Sequence, residues 1–139
     1  MNEFRKEDGR LQRVAQIIQL NPKDEAEYIR YHEQVWPAVL ATIAACNISN
    51  YSIFLRNGLL FSYFEYSGPD LTADMEKMSA CVDTQRWWSI MDPMQSTMPD
   101  ALPGEKWSNM REVFHFDPVL ATPPEIEVVN AAAPGLDQL

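Results

Sequence analysis

At 139 residues the chain holds about one domain, and its 46% hydrophobic and 22% charged content is that of a globular protein needing no staple or metal to fold. Eleven Lys and Arg against 20 Asp and Glu give a net charge of −9, the wrong sign for a phosphate-backbone binder. No apolar run approaches the roughly 20 residues of a membrane span, so neither nucleic acid nor membrane is an expected partner. Two cysteines, Cys46 and Cys81, make no disulfide framework, and the opening MNEFRKEDGRLQ has no apolar signal core. The expected compartment is a reducing cytoplasm.

Residues 1–12 read as a flexible segment and residues 13–117 as the folded domain. Arg13 to Leu20 is a β-rich run that ends at Asn21-Pro22, a helix start with Asn as N-cap, Pro at the first position and acidic residues in the first turn. That helix is expected to about Gln34. Pro37 disfavours helical geometry at Trp36, so a kink or restart is expected there, then a second segment through Cys46. Ile48–Leu55 and Leu59–Tyr66 are strands joined by Asn57-Gly58, a strong hairpin signal. Asp70–Ala80 and Asp83–Met91 read as helical, Asp92–Trp107 as a long loop with three prolines, and Asn109–Phe116 as a last strand. From Pro118 to Leu139 four prolines and no sustained periodicity predict a flexible or surface-draped tail. The order β-α-β-β-α-β is that of an α+β, ferredoxin-like split unit with an antiparallel sheet. Alternation puts Tyr51, Ile53 and Leu55 on one face of the second strand, with Ile48 and Phe54 on the other. Both faces of the hairpin are therefore apolar. Helices cover one sheet face in this topology, so the other is expected to line a ligand cavity, meet a second subunit, or both.

Metal ligation and nucleotide binding lack their motifs: the histidines and cysteines are scattered, and there is no G-x-G-x-x-G or G-K-[ST]. Both cysteines read as structural thiols without a cationic activator. His115 reads as a structural or interface histidine, and Met75, Met78, Met91, Met94 and Met98 as core filling. Tyr28, His32 and Trp36 are more informative, since their i, i+4, i+8 spacing puts a phenol, an imidazole and an indole on one helix stripe. His32 is there either a half-buried, hydrogen-bonded core residue or a site residue. Trp87 and Trp88, adjacent on a helix, point about 100° apart, so one faces the sheet and the other a cleft or interface. Tyr51 can present its hydroxyl to the same space. Indoles and phenols with a few polar partners suit a carbohydrate.

Asn21-Pro22, Glu27-Tyr28, His32–Pro37 (HEQVWP), Asn50–Ile53, Leu59–Phe61, Gln85–Trp88 and Arg111–Phe114, in this order and spacing, resemble the L-rhamnose mutarotase family over about Arg13–Asp117. The loop from Pro93 to Trp107 departs from that pattern in being longer and proline-punctuated. The resemblance implies a dimeric α+β barrel, with His32 as proton donor and Tyr28, Tyr51, Trp87 and Trp88 contacting the sugar. The expected activity is interconversion of the α and β anomers of a 6-deoxy-L-hexose, L-rhamnose, through the open-chain aldehyde. His32 would protonate the ring oxygen and Tyr28 would orient it or share the relay. The complementary base is open between Tyr28, water and another group. Proton transfer alone needs no metal or organic cofactor. The expected partners are a monosaccharide and a second copy of the chain. The rival readings are another acid-base isomerase or cyclase of a secondary metabolite on the same barrel, and a non-catalytic small-molecule-binding module.

Overall fold

The computed structural model describes residues 11–118, so the expectations for the segment 1–12 and the tail 118–139 fall almost wholly outside the described residues. Within them the chain is a mixed α+β unit: β1 (Gln12–Leu20), a 3-10 turn (Pro22–Asp24), α1 (Glu25–Glu33), α2 (Pro37–Ala45), β2 (Ile48–Arg56), β3 (Leu59–Tyr66), α3 (Leu71–Ser79), α4 (Val82–Met91), a second 3-10 turn (Asp92–Met94), β4 (Gln95–Ser96) and β5 (Ser108–Met110). Each expected helical region is thus a pair of short helices. Trp36 is extended (φ −60°, ψ 135°), as a residue before proline must be, and α2 begins at Pro37.

The sheet is antiparallel, in the order β2-β3-β1-β4, with β5 also paired to β1. β4 pairs with Gln19 and Leu20, and β5 with Ala15, Gln16 and Ile17. The hairpin forms at the expected place. Asn57 (φ +51°) and Gly58 (φ +72°) both take the left-handed conformation of a two-residue turn matched to strand twist.

Three sequence expectations change. The last strand is three residues long; Val113, Phe114 and Phe116 follow it at 82%, 80% and 61% exposure, outside any sheet ladder. The loop 92–107 contains β4, too short to show alternation. A register shift between Ser49 and Ser52 interrupts the alternation of β2, with Asn50 at φ +49° and its amide donating to the Glu65 carboxylate at 2.6 Å. Ile48 opposes buried Tyr66 and Ile53 opposes buried Ser62, so the bulge brings Ile48 to the face shared by Ile53 and Leu55; only Phe54 stays on the other side.

The helices cover the face carrying Val14, Ile18, Leu60 and Phe64, all buried. Fully burying an Ile or Leu side chain is worth about 1.5–3 kcal/mol, so this face dominates folding. The opposite face keeps Ile17, Phe61 and Tyr63 half-buried and Phe54 62% exposed. None of the described helices is long and apolar enough to cross a membrane.

Candidate active site

Between the helix layer and the sheet lies a cavity of about 800 Å³, whose described lining includes Tyr28, His32, Tyr51, Trp87 and Trp88. The ligand space is therefore on the helix-covered face, which leaves the other face for a different use.

α1 supplies the first two residues. Tyr28 is buried (4% exposed) and its ring stacks on His32 at 4.2 Å between centroids, 28° from parallel. The carbonyl of Tyr28 lies 2.8 Å from His32 Nδ1. A carbonyl only accepts, so Nδ1 carries the hydrogen and Nε2 holds the free lone pair of the neutral ring. Burial holds the His32 pKa below the usual histidine value, and the bond to the Tyr28 carbonyl acts in the other direction. His32 makes no ion pair with a carboxylate of the described residues, so nothing favours its charged form strongly.

α4 supplies the wall. Trp87 is buried and meets His32 edge-on at 5.3 Å, Trp36 at 5.1 Å and Tyr31 at 5.9 Å. Trp88, one residue on, is 39% exposed and lines the cavity. Both indoles line the cavity and differ in exposure, Trp87 buried and Trp88 partly open. Tyr51 reaches the cavity from the bulged part of β2 and meets Phe64 edge-on at 5.6 Å. Burial raises the pKa of Tyr28 strongly, Tyr51 adds to the shift, and the Gln95 bond opposes it. Burial raises the Tyr51 pKa as well. Both phenols keep their protons at neutral pH.

Sequence reasoning missed Gln95, whose Nε2 donates to the Tyr28 hydroxyl at 3.4 Å. Its position traces to Asn21. That side chain makes no helix cap; it donates to the Pro93 carbonyl at 3.1 Å and accepts from the Ser96 hydroxyl at 2.8 Å, holding β4 against the end of β1. Asp92, Lys106 and Trp107 also line the cavity and come from the stretch read as a long loop of the kind that often lids a site. The signal available was that loop's three prolines, which marked it as a fixed, non-helical segment.

Of the remaining candidates, Met75, Met78 and Met91 also line the cavity, and the others are not among its described lining residues. Cys46 is fully buried and Met78, Met91 and Met94 are core residues, as expected. Cys81 differs from expectation. It is half-buried at the start of α4, bonded to the Thr42 hydroxyl at 3.2 Å, and this contact with the Thr84 backbone N–H lowers its pKa to about 7. His115 is exposed beyond β5. Among the described residues no group of three or more His, Cys, Asp or Glu could hold a metal ion.

The sequence profile of the L-rhamnose mutarotase family matches residues 13–116. An L-rhamnose mutarotase from Acidiphilium cryptum is 36% identical over 108 residues, which span 76% of this chain and 99% of the relative. One from Opitutus terrae is 35% identical over 107 residues, 76% of this chain and 98% of the relative. The crystal structure of an L-rhamnose mutarotase from Formosa agariphila superposes with a TM-score of 0.59 at 24% identity, over 76% of this chain and 99% of that one, a likeness of fold.

Proposed function

The chain belongs to the L-rhamnose mutarotase family, and we propose that it interconverts the anomers of a 6-deoxy-L-hexose, L-rhamnose, in the cavity above α1 and α4. It is an isomerase of the mutarotase kind. The observation that carries the site assignment is the pinned imidazole. With Nδ1–H held by the Tyr28 carbonyl at 2.8 Å, one nitrogen, Nε2, is left to exchange a proton with a bound sugar.

Ring opening removes the proton from the anomeric hydroxyl, forms the C1 carbonyl, breaks the bond from C1 to the ring oxygen, and places a proton on that oxygen. The burial-lowered pKa makes neutral His32 the resting form. Nε2 therefore takes the anomeric proton first, and the imidazolium so formed is the acid that protonates the ring oxygen. Both oxygens are bonded to C1, so one nitrogen serves each in turn and the proton count closes without a second base. Rotation about the C1–C2 bond and the reverse sequence give the other anomer. Tyr28 orients the imidazole through its carbonyl and its stacked ring, and its protonated hydroxyl donates to a sugar oxygen. Tyr51 bonds a further hydroxyl. Trp88 offers the exposed indole face on which the sugar stacks, while Trp87 backs His32. A positioned acid-base group typically supplies about 10²- to 10⁴-fold.

We read the strand order, with β4 and β5 sharing one edge of β1, as the ferredoxin-like split pattern. Two copies would pack their helix-free faces together as a dimeric α+β barrel in the cytoplasm. The uncovered Phe54, Phe61, Tyr63 and Ile17 support this assembly. Proton NMR exchange spectroscopy on L-rhamnose and a panel of 6-deoxy sugars tests the activity: anomer exchange above the buffer rate is expected. Saturable binding without exchange would make the chain a binding module instead. Light scattering tests the assembly, with twice the chain mass expected at micromolar concentration and a monomer refuting the barrel.

A further inference from the structure

The residues assigned to proton transfer and stacking leave the charged part of the cavity lining unexplained. Most described lining residues are apolar or aromatic; apart from His32, the formal charges among them belong to Glu33, Asp92 and Lys106. Asp92 and Lys106 form an ion pair with each other.

They arrive from opposite sides. The Asp92 backbone N–H donates to the Trp88 carbonyl, so Asp92 sits one helical turn beyond Trp88, and both line the cavity. Lys106 comes from the loop 97–107. That loop is fixed by the Glu105 carboxylate, which accepts from the Leu102 N–H at 2.9 Å and the Asn109 N–H at 3.4 Å. Gln19 also donates to the Thr97 carbonyl at 2.8 Å. Trp107, beside Lys106, is half-buried against the main core cluster. The pair is thus held by a fixed loop and a helix end, in a cavity that Trp88 and Trp107 also line.

Stability does not account for it. The two side chains are 43% and 51% exposed, and an ion pair so exposed contributes about 0–1 kcal/mol. Both groups keep hydrogen-bonding capacity that their mutual contact does not use: an ammonium has three donors and a carboxylate about four acceptor sites. A carboxylate beside an ammonium is complementary to two neighbouring hydroxyls, each donating to the first and accepting from the second.

We propose that Asp92 and Lys106 form a fork in the cavity lining that grasps a vicinal diol of the sugar, away from the anomeric carbon at His32, and so sets which 6-deoxyhexose is accepted. The inference rests on the mutarotase reading of the same cavity. Trp88 stacks under the ring, and Trp107 lines the same cavity. The fork binds the ground state and the transition state alike, because the hydroxyls it holds do not react.

The test uses the full chain with Asp92→Asn, Lys106→Met and the double variant, and measures anomer exchange across concentrations of L-rhamnose and of its 3-deoxy and 4-deoxy analogues. Each single variant should raise KM for L-rhamnose about tenfold, the weight of one charge-assisted hydrogen bond, with kcat nearly unchanged. For at least one deoxy analogue the variants should raise KM clearly less than for L-rhamnose, since one of the two hydroxyls the fork would hold is gone. Lys106→Arg, which keeps the charge and the pairing, should restore most of the affinity. Equal KM increases for L-rhamnose and both analogues would make the pair a loop strut and overturn the proposal, as would unchanged KM for L-rhamnose. A parent that does not exchange rhamnose anomers above buffer overturns the mutarotase reading itself, and the fork with it. A parent that does, alongside unaffected fork variants, overturns the fork alone.

Discussion

Trp87 and Trp88 are neighbours of one residue type, and their replacement by alanine should give opposite results. Trp87 is 6% exposed and its ring meets Tyr31, His32 and Trp36, so Trp87→Ala removes the wall on which three aromatic rings lean. Truncation of a buried Trp costs about 3–5 kcal/mol, a large part of the 5–15 kcal/mol typical of a whole domain. For a domain of this size each kcal/mol lowers the melting temperature by about 4 °C or more, so a drop above about 12 °C is expected, with anomer exchange lost as His32 is freed. Trp88 is 39% exposed and stacks on no other ring among the described residues. Trp88→Ala should lower the melting temperature by only a few degrees and raise KM for L-rhamnose with little change in kcat, because a stacking face serves substrate and transition state alike. Thermal melts by circular dichroism, paired with NMR exchange at varied sugar concentration, read both effects. Comparable destabilisation by the two variants, or a Trp87→Ala protein that melts within 3 °C of the parent, would refute the division of labour.

Other predictions concern single atoms. Tyr28→Phe keeps the ring stacked on His32 and the carbonyl on Nδ1 but loses the hydroxyl that meets Gln95, so exchange should slow about tenfold while the melting temperature stays within a few degrees. Gly68→Ala would place a methyl carbon 2.4 Å from the Tyr66 hydroxyl oxygen and 2.7 Å from Asn47 Nδ2; calorimetry should show a loss of about 1–3 kcal/mol, the usual cost of overpacking. The bond from Tyr66 at 2.5 Å, then those from Asn47 and Lys77, hold the Asp74 carboxyl below the ordinary aspartate value. Its contribution to stability is present above the unfolded pKa and lost as pH falls through the folded one, so Tyr66→Phe should move acid unfolding to higher pH. The pH profile of kcat/KM should be flat near neutrality and fall on acidification through a pKa below 6.5, as Nε2 becomes protonated before the sugar arrives. Tyr28, Tyr51, Glu33, Asp92 and Lys106 also face the cavity, and a fall that persists in Asp92→Asn assigns the titration to His32. A rate that rises on acidification would mean that the imidazolium is the starting form.

The parts of this molecule written in local chemistry were legible in its sequence. Asn57-Gly58 specifies a turn with two positive φ angles, Pro37 specifies an extended Trp36, and the i, i+4 spacing of Tyr28 and His32 puts their rings together. What escaped depends on partners distant in the chain. The bulge at Ser49–Ser52 leaves no mark in the alternation of hydrophobic residues, yet it turns Ile48 to the cavity face. β4 is two residues long and exists because Asn21, more than 70 positions earlier, bonds Pro93 and Ser96 in place of capping its own helix. Gln95 therefore gave no signal as a neighbour of Tyr28. The alternating run after Asn109 looked like strand throughout, but only Ser108, Asn109 and Met110 find a partner on β1.

The proposed exchange of anomers through the one free nitrogen of His32 is the step on which the rest depends. Its most direct measurement is kcat/KM for L-rhamnose anomer exchange at neutral pH by His32→Ala beside the parent, each first shown folded by its melt and its mass in solution. A loss of about 10²- to 10⁴-fold in a folded variant is the result predicted. Exchange by His32→Ala at the parent's rate would contradict the account.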